Sequence, residues 1–184
     1  MTDRSTLAAA NTLRSRGVGV VRFNFLYREK GSGRPDQMPK LMATTSAVVE
    51  RVRAELGSPR PLIIGGRSMG GRAASMLAAE GYDVDGLLLL AYPLHPPGQP
   101  EKLRDAHLPR ITVPVLCING TKDPFCTPEL MERVLSKVTT PWTMHWLDGA
   151  DHSFHVLKSS GRNDAAVLAE AADVSERWIG TLKR

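Results

Sequence analysis

Apolar residues recur along this chain at two spacings, and the two spacings alternate. Leu7, Ala10 and Leu13 fall three apart within residues 5–16, the stripe of an amphipathic helix that Gly17 stops. Residues 18–26 (VGVVRFNFL) are β-branched and aromatic, which predicts a strand. Residues 28–39 are rich in Gly, Pro and charge and predict an exposed loop. Helical spacing returns with Val48, Val52 and Leu56, in a helix from 39 or 40 to 56 with Gly57 as its stop. Further strands are predicted at 61–64, 84–91, 114–119 and 142–147, and further helices at 71–80, 127–138 and from 164 or 165 to 183. The runs VDGLLLLA (84–91) and PVLCIN (114–119) are continuously apolar, as strands covered on both faces require. Thr127-Pro128-Glu129 opens its helix with a capping hydroxyl, a first-turn proline and an early acid. Residues 92–111 are proline-rich and irregular, with one helical turn expected near 101–106.

Short strands separated by helices predict an α/β fold: a mostly parallel sheet of about five strands with helices on both faces, in a single domain over 1–184. Composition changes this picture little. An apolar share of 42% with 23% charged residues is that of an ordinary globular protein. No apolar run approaches the roughly 20 residues of a membrane-spanning helix. The opening Met1-Thr2-Asp3-Arg4 lacks the basic-then-apolar order of a signal peptide, so a cytoplasmic protein that engages no membrane is expected. The net charge of +5 comes from scattered basic residues without an aromatic-studded stripe, which argues against nucleic acid as a partner. Cys117 and Cys126 are too few for a disulfide framework and lack metal-site spacing; reduced thiols and no metal or cofactor are expected. Cys117 lies within a strand and is expected in the core, whereas Cys126 is either a loop thiol or part of the pocket lining.

The chemistry-bearing residues follow strand ends, where open parallel sheets bind their ligands. Gly66-x-Ser68-x-Gly70 stands between a strand and a helix and fits a nucleophile elbow, a turn that holds its serine in strained geometry with the hydroxyl exposed. The phosphate-binding patterns Gly-x-x-x-x-Gly-Lys-Ser/Thr and Gly-x-Gly-x-x-Gly are absent there. Asp123 follows the 114–119 strand and His152 follows the 142–147 strand. The three are separated by 55 and 29 residues, in the chain order Ser, Asp, His used by α/β hydrolases. A serine hydroxyl becomes a nucleophile only when an imidazole takes its proton, and a carboxylate must orient that imidazole. His152 is preferred to His155 because it lies nearer the strand end. Asp148 and Asp151 read as turn and capping groups. Met69, following the serine, offers a backbone N–H to an oxyanion. Arg67, Tyr92 and His95 are the candidates for contact with substrate; Arg67 either offers charge to an anionic substrate or forms a structural ion pair, as does Arg72. His95 and His107 are expected to face solvent or the pocket rim.

Five stretches together resemble one branch of the α/β-hydrolase superfamily: Arg22-Phe23-Asn24-Phe25, Gly65-Gly66-Arg67-Ser68-Met69-Gly70-Gly71-Arg72, Tyr92-Pro93-Leu94-His95-Pro96-Pro97-Gly98, Gly120-Thr121-Lys122-Asp123-Pro124-Phe125 and Asp151-His152-Ser153-Phe154. The branch is the dienelactone-hydrolase-like group that includes the NSL-complex-subunit and testis-expressed hydrolase-like proteins. The resemblance implies a hydrolase with Ser68 as nucleophile, Asp123 as acid and His152 as base, acting on a small ester-type substrate. It also implies a strand ahead of the first helix, ending in a His-Gly-type loop that gives one oxyanion N–H. This chain begins inside the helix that should follow, so an α/β-hydrolase core lacking its N-terminal strands is expected. In that case the strand at 18–26 either pairs directly with the one at 61–64 or leaves a strand-wide slot, and an exposed edge invites oligomerisation. Some relatives serve as parts of larger assemblies, which keeps open a catalytically weak or inactive domain that binds a ligand or protein.

Overall fold

The computed structural model describes residues 4–182. Four strands, β1 (Ile63–Arg67), β2 (Gly86–Leu90), β3 (Val115–Gly120) and β4 (Trp142–Leu147), form one parallel sheet in sequential order. Helices α1 (Arg4–Arg14), α2 (Leu26–Glu29) and α3 (Met38–Leu56) precede the sheet. Helices α4 (Met69–Ala79) and α5 (Pro128–Leu135) alternate with its strands, and α6 (Asp164–Thr181) closes the fold. Two helices are capped by side chains: Thr127 accepts from the Leu130 N–H at the start of α5, and Asn163 accepts from the Ala166 N–H at the start of α6. Gly57 ends α3 in the left-handed conformation.

Strand side chains alternate between two apolar layers. Leu87, Leu89, Val115 and Cys117 pack with Met42 and Val49 of α3, Ala74 and Leu77 of α4, and Met131 and Val134 of α5. Leu116, Ile118 and Leu147 face the opposite way, onto Val167, Ala171 and Trp178 of α6. Helix α1 packs on α6, where Arg16 pairs with Asp173. Both faces are thus covered, which explains why β2 and β3 are continuously apolar.

One predicted strand is not present. Residues 18–25 join no ladder; they lead through Phe25, whose backbone is extended, into α2 at Leu26, and Val21 is 58% exposed. The sheet accordingly has four strands instead of about five. β-branched and aromatic residues suit an extended backbone, but a strand is completed only by a neighbour that takes its N–H and C=O groups. Among the described residues β1 pairs with β2 alone. The helical turn expected near 101–106 lies instead at Leu108–Arg110, as a short 3-10 segment.

Close backbone approach decides one glycine of β1. A Cβ on Gly65 would lie 2.0 Å from the Leu88 carbonyl oxygen of β2, which only a parting of the two strands relieves. Gly65→Ala is expected to destabilise the fold by about 2 kcal/mol or more. The expected readout is a lower midpoint in urea unfolding, and an unchanged midpoint would contradict this packing.

Candidate active site

The site is assembled where β1, β3 and β4 end. Ser68 separates β1 from α4 and adopts φ 51° and ψ −115°, a region that non-glycine residues occupy only under constraint. The turn is tight enough that a Cβ on Gly71 would meet the Gly66 carbonyl oxygen at 2.7 Å. The Ser68 N–H donates to the Leu90 carbonyl at 2.9 Å, so the ladder pins the turn from one side. The Ser68 carbonyl accepts from the Arg72 N–H at 3.0 Å and starts the first turn of α4 on the other. Met69 is the first residue of α4, where backbone N–H groups lack intrahelical acceptors.

His152 connects the serine to an acid. Its Nε2 lies 3.0 Å from Ser68 Oγ, and its Nδ1 lies 2.8 Å from Asp123 Oδ2. A carboxylate accepts, so Nδ1 carries the proton and Nε2 presents its lone pair to the serine hydroxyl. Asp123 is only 2% exposed. Its Oδ1 also accepts from the Phe125 N–H at 2.9 Å, and its Oδ2 from the Asn119 amide at 3.3 Å. The Phe125 ring stands edge-on to the imidazole with centroids 4.6 Å apart. The Arg67 guanidinium donates to the His152 carbonyl oxygen and so ties the histidine loop to the end of β1.

Asn119 is the member that sequence reasoning missed. It is fully buried at the end of β3, donates to Asp123, accepts from the Tyr92 N–H at 2.9 Å and donates to the Tyr92 carbonyl at 3.2 Å. The available signal was a lone amide in an otherwise apolar strand, PVLCIN, since a buried amide is retained only with partners.

Other expectations fall differently. His155 lies outside the site, on Asp164 at 3.0 Å. That partner raises the His155 pKa through its hydrogen bond and charge. Asp151 serves its turn, accepting from the Ser153 and His155 N–H groups. Tyr92 and His95, expected against substrate, are buried instead: Tyr92 has no exposed surface and donates to the Arg104 carbonyl, and His95 donates from Nδ1 to the Pro96 carbonyl at 2.8 Å. His107 is likewise buried and not at a rim, its Nε2 2.9 Å from Ser75 Oγ. The irregular segment turns Tyr92, His95 and His107 inward, where their polar groups find protein partners, while residues 97–98 and 100–102 stay exposed. Cys117 and Cys126 are both buried free thiols, and burial pushes their pKa values up.

A parallel sheet with a serine elbow, a strand-end acid and a strand-end histidine in this chain order is the arrangement of an α/β hydrolase. The chain belongs to the alpha/beta hydrolase domain family, whose model matches residues 1–180. Solved structures share the fold. An alpha-beta serine hydrolase homologue from Coxiella burnetii is 21% identical, with a TM-score of 0.75 over 96% of this chain and 76% of that one. A lidless a/b serine hydrolase from Xanthomonas campestris is 24% identical, with a TM-score of 0.74 over 100% of this chain and 77% of that one. Dienelactone hydrolase from Anabaena variabilis is 20% identical, with a TM-score of 0.74 over 100% of this chain and 81% of that one.

His107 carries a measurable consequence of its burial. Desolvation and the nearby charges of Arg72 and Arg110 push its pKa down to about 4. The folded chain keeps the ring neutral while the unfolded chain takes up a proton near its ordinary value of 6.5. This contribution to stability is complete above that value and is lost as pH falls toward about 4. Urea midpoints followed over this range should fall less steeply in His107→Gln than in the wild type. Parallel curves would contradict the assignment.

Proposed function

We propose that this protein is a serine hydrolase that cleaves an ester-type bond (ester, thioester or lactone) through an acyl-enzyme. The observation that carries the reading is the unbroken relay from Ser68 Oγ to His152 to the buried Asp123 carboxylate. As Ser68 Oγ attacks the carbonyl carbon, Nε2 of His152 takes its proton. Asp123 fixes the tautomer and stabilises the imidazolium that results. The oxyanion formed on the carbonyl is received by the Met69 N–H at the start of α4, where the helix dipole also favours negative charge. Collapse expels the alcohol or thiol, protonated by His152, and leaves the acyl group on Ser68. Water, deprotonated by the same histidine, then releases the acid. None of these steps requires a metal or cofactor.

The structural neighbours support this class: they include a serine hydrolase homologue, a dienelactone hydrolase and, from Butyrivibrio proteoclasticus, Est1E with ferulic acid bound. The motif around 92–98 further supports placement in the dienelactone-hydrolase-like branch with the NSL-complex-subunit and testis-expressed hydrolase-like proteins.

A fluorophosphonate probe is expected to label the wild type on Ser68 and to leave Ser68→Ala unlabelled. Asp123→Asn should keep the fold while lowering kcat on a nitrophenyl ester by about 10³–10⁴. Folded protein that neither labels nor hydrolyses would contradict the enzyme and favour a ligand- or protein-binding domain.

A further inference from the structure

The sheet has two edges, and they differ in chemistry. β1 ends it on one side and holds Gly65 and Gly66; β4 ends it on the other with the large side chains of WTMHWL and, among the described residues, pairs with β3 alone. Successive residues of a strand turn their backbone groups to opposite sides. The Pro141 carbonyl accepts from the Val115 N–H and the Leu147 carbonyl from the Thr121 N–H, so the odd-numbered residues of β4 face β3. Trp142, Met144 and Trp146 therefore aim their N–H and C=O groups at the open edge. Edges of this kind are ordinarily blunted by lysine, proline or a bulge, and none stands at these three positions.

The same three residues carry an apolar face. Their side chains are half-buried on the α5 side of the sheet, and Trp142 Nε1 donates to Met144 Sδ at 3.2 Å. Met144 and Trp146 line a groove together with Met131, Glu132 and Leu135 of α5. Charge along α5 is divided: Glu129 stands in its first turn, Arg133 in its last and Lys137 just beyond, all three exposed. As the crossover between two parallel strands, α5 runs opposite to β4.

We propose that β4 is the contact surface of a symmetric dimer, pairing antiparallel with β4 of a second copy about a twofold axis at Met144. This register sets Trp142 opposite Trp146 of the second copy and Met144 opposite its own counterpart. Each outward residue then exchanges both hydrogen bonds with the one it faces, and the two sheets become continuous. An axis at Trp142 or Trp146 would leave one of the three without a strand partner. Aromatic side chains meet across the join, and Thr143 meets His145, which keeps the two imidazoles apart. The twofold also lays the Glu129 end of one α5 along the Arg133–Lys137 end of the other, so unlike charges face each other. A second copy satisfies the edge, the groove and the charge pattern together because each is its own complement under that axis. Ser68, Asp123 and His152 take no part, so the dimer stands or falls apart from the hydrolase reading.

Sedimentation velocity of the full chain at rising concentration should show a species of twice the mass of one chain. Met144→Lys places two like charges face to face on the axis, and Met144→Asp does so with the opposite sign. Each should sediment as a monomer with an unchanged far-UV circular dichroism spectrum. An equimolar mixture of the two should recover the dimer, which requires Met144 to face its own counterpart. Met144→Cys gives the same reading without a charge in the strand. Its thiols meet across the axis with Cα atoms about 5.5 Å apart, so mild oxidation should link the dimer by a disulfide, whereas Thr143→Cys, opposite His145, should stay unlinked. A monomeric wild type, which would leave the edge to a strand of another protein, overturns the proposal. A dimer that survives both charged substitutions, or one that Thr143→Cys links in preference to Met144→Cys, overturns it as well.

Discussion

A carboxylate withdrawn from water must recover its hydrogen bonds from the protein, and Asp123 recovers them from three directions. The Phe125 N–H comes from its own loop, the Asn119 amide from the end of β3, and the His152 imidazole from the loop after β4. Each donor sits on a different part of the chain, so satisfying one buried group draws the parts together. Asn119 extends the arrangement to the loop after β2 through the Tyr92 backbone. The site therefore does not rest on the sheet as on a passive support. Its acid is one of the groups that fix where the strand-end loops run.

The serine is held by different physics. Ser68 occupies a positive φ, and the turn around it has no room for side chains at Gly66 or Gly71. Ladder bonding on one side and the first turn of α4 on the other over-determine the turn, which is how a strained conformation persists. The consequence is a hydroxyl aimed out of the sheet edge beside a helix N-terminus. The imidazole needs only to be positioned, and Asp123, Phe125 and Arg67 position it.

Much of this was legible in the order of residues, for identifiable reasons. Strands β2 and β3 announce themselves because burial on both faces forces unbroken apolar runs. Ser68, Asp123 and His152 were picked out because each follows the end of an expected strand, and His152 was separated from His155 by its distance from the strand end. Pairing was not legible. Residues 18–25 have a strand's composition, but whether a neighbour meets their backbone is a long-range fact that no local pattern encodes. The segment after β2 was misjudged for a related reason. Tyr92 and His107 are buried with partners far along the chain, Arg104 and Ser75, and His95 is buried on the carbonyl of its neighbour Pro96. Asn119 was overlooked because its role lies in joining Asp123 to the Tyr92 backbone of the neighbouring strand's loop, which only the fold brings together.

The central claim is that His152 is held by Asp123 with its proton on Nδ1 and its lone pair toward Ser68. Proton NMR of the folded protein at low temperature reads that proton directly. A strongly downfield Nδ1–H resonance is expected in the wild type and should vanish in both His152→Gln and Asp123→Ala. A spectrum with no such resonance, or one that survives either substitution, would contradict the account.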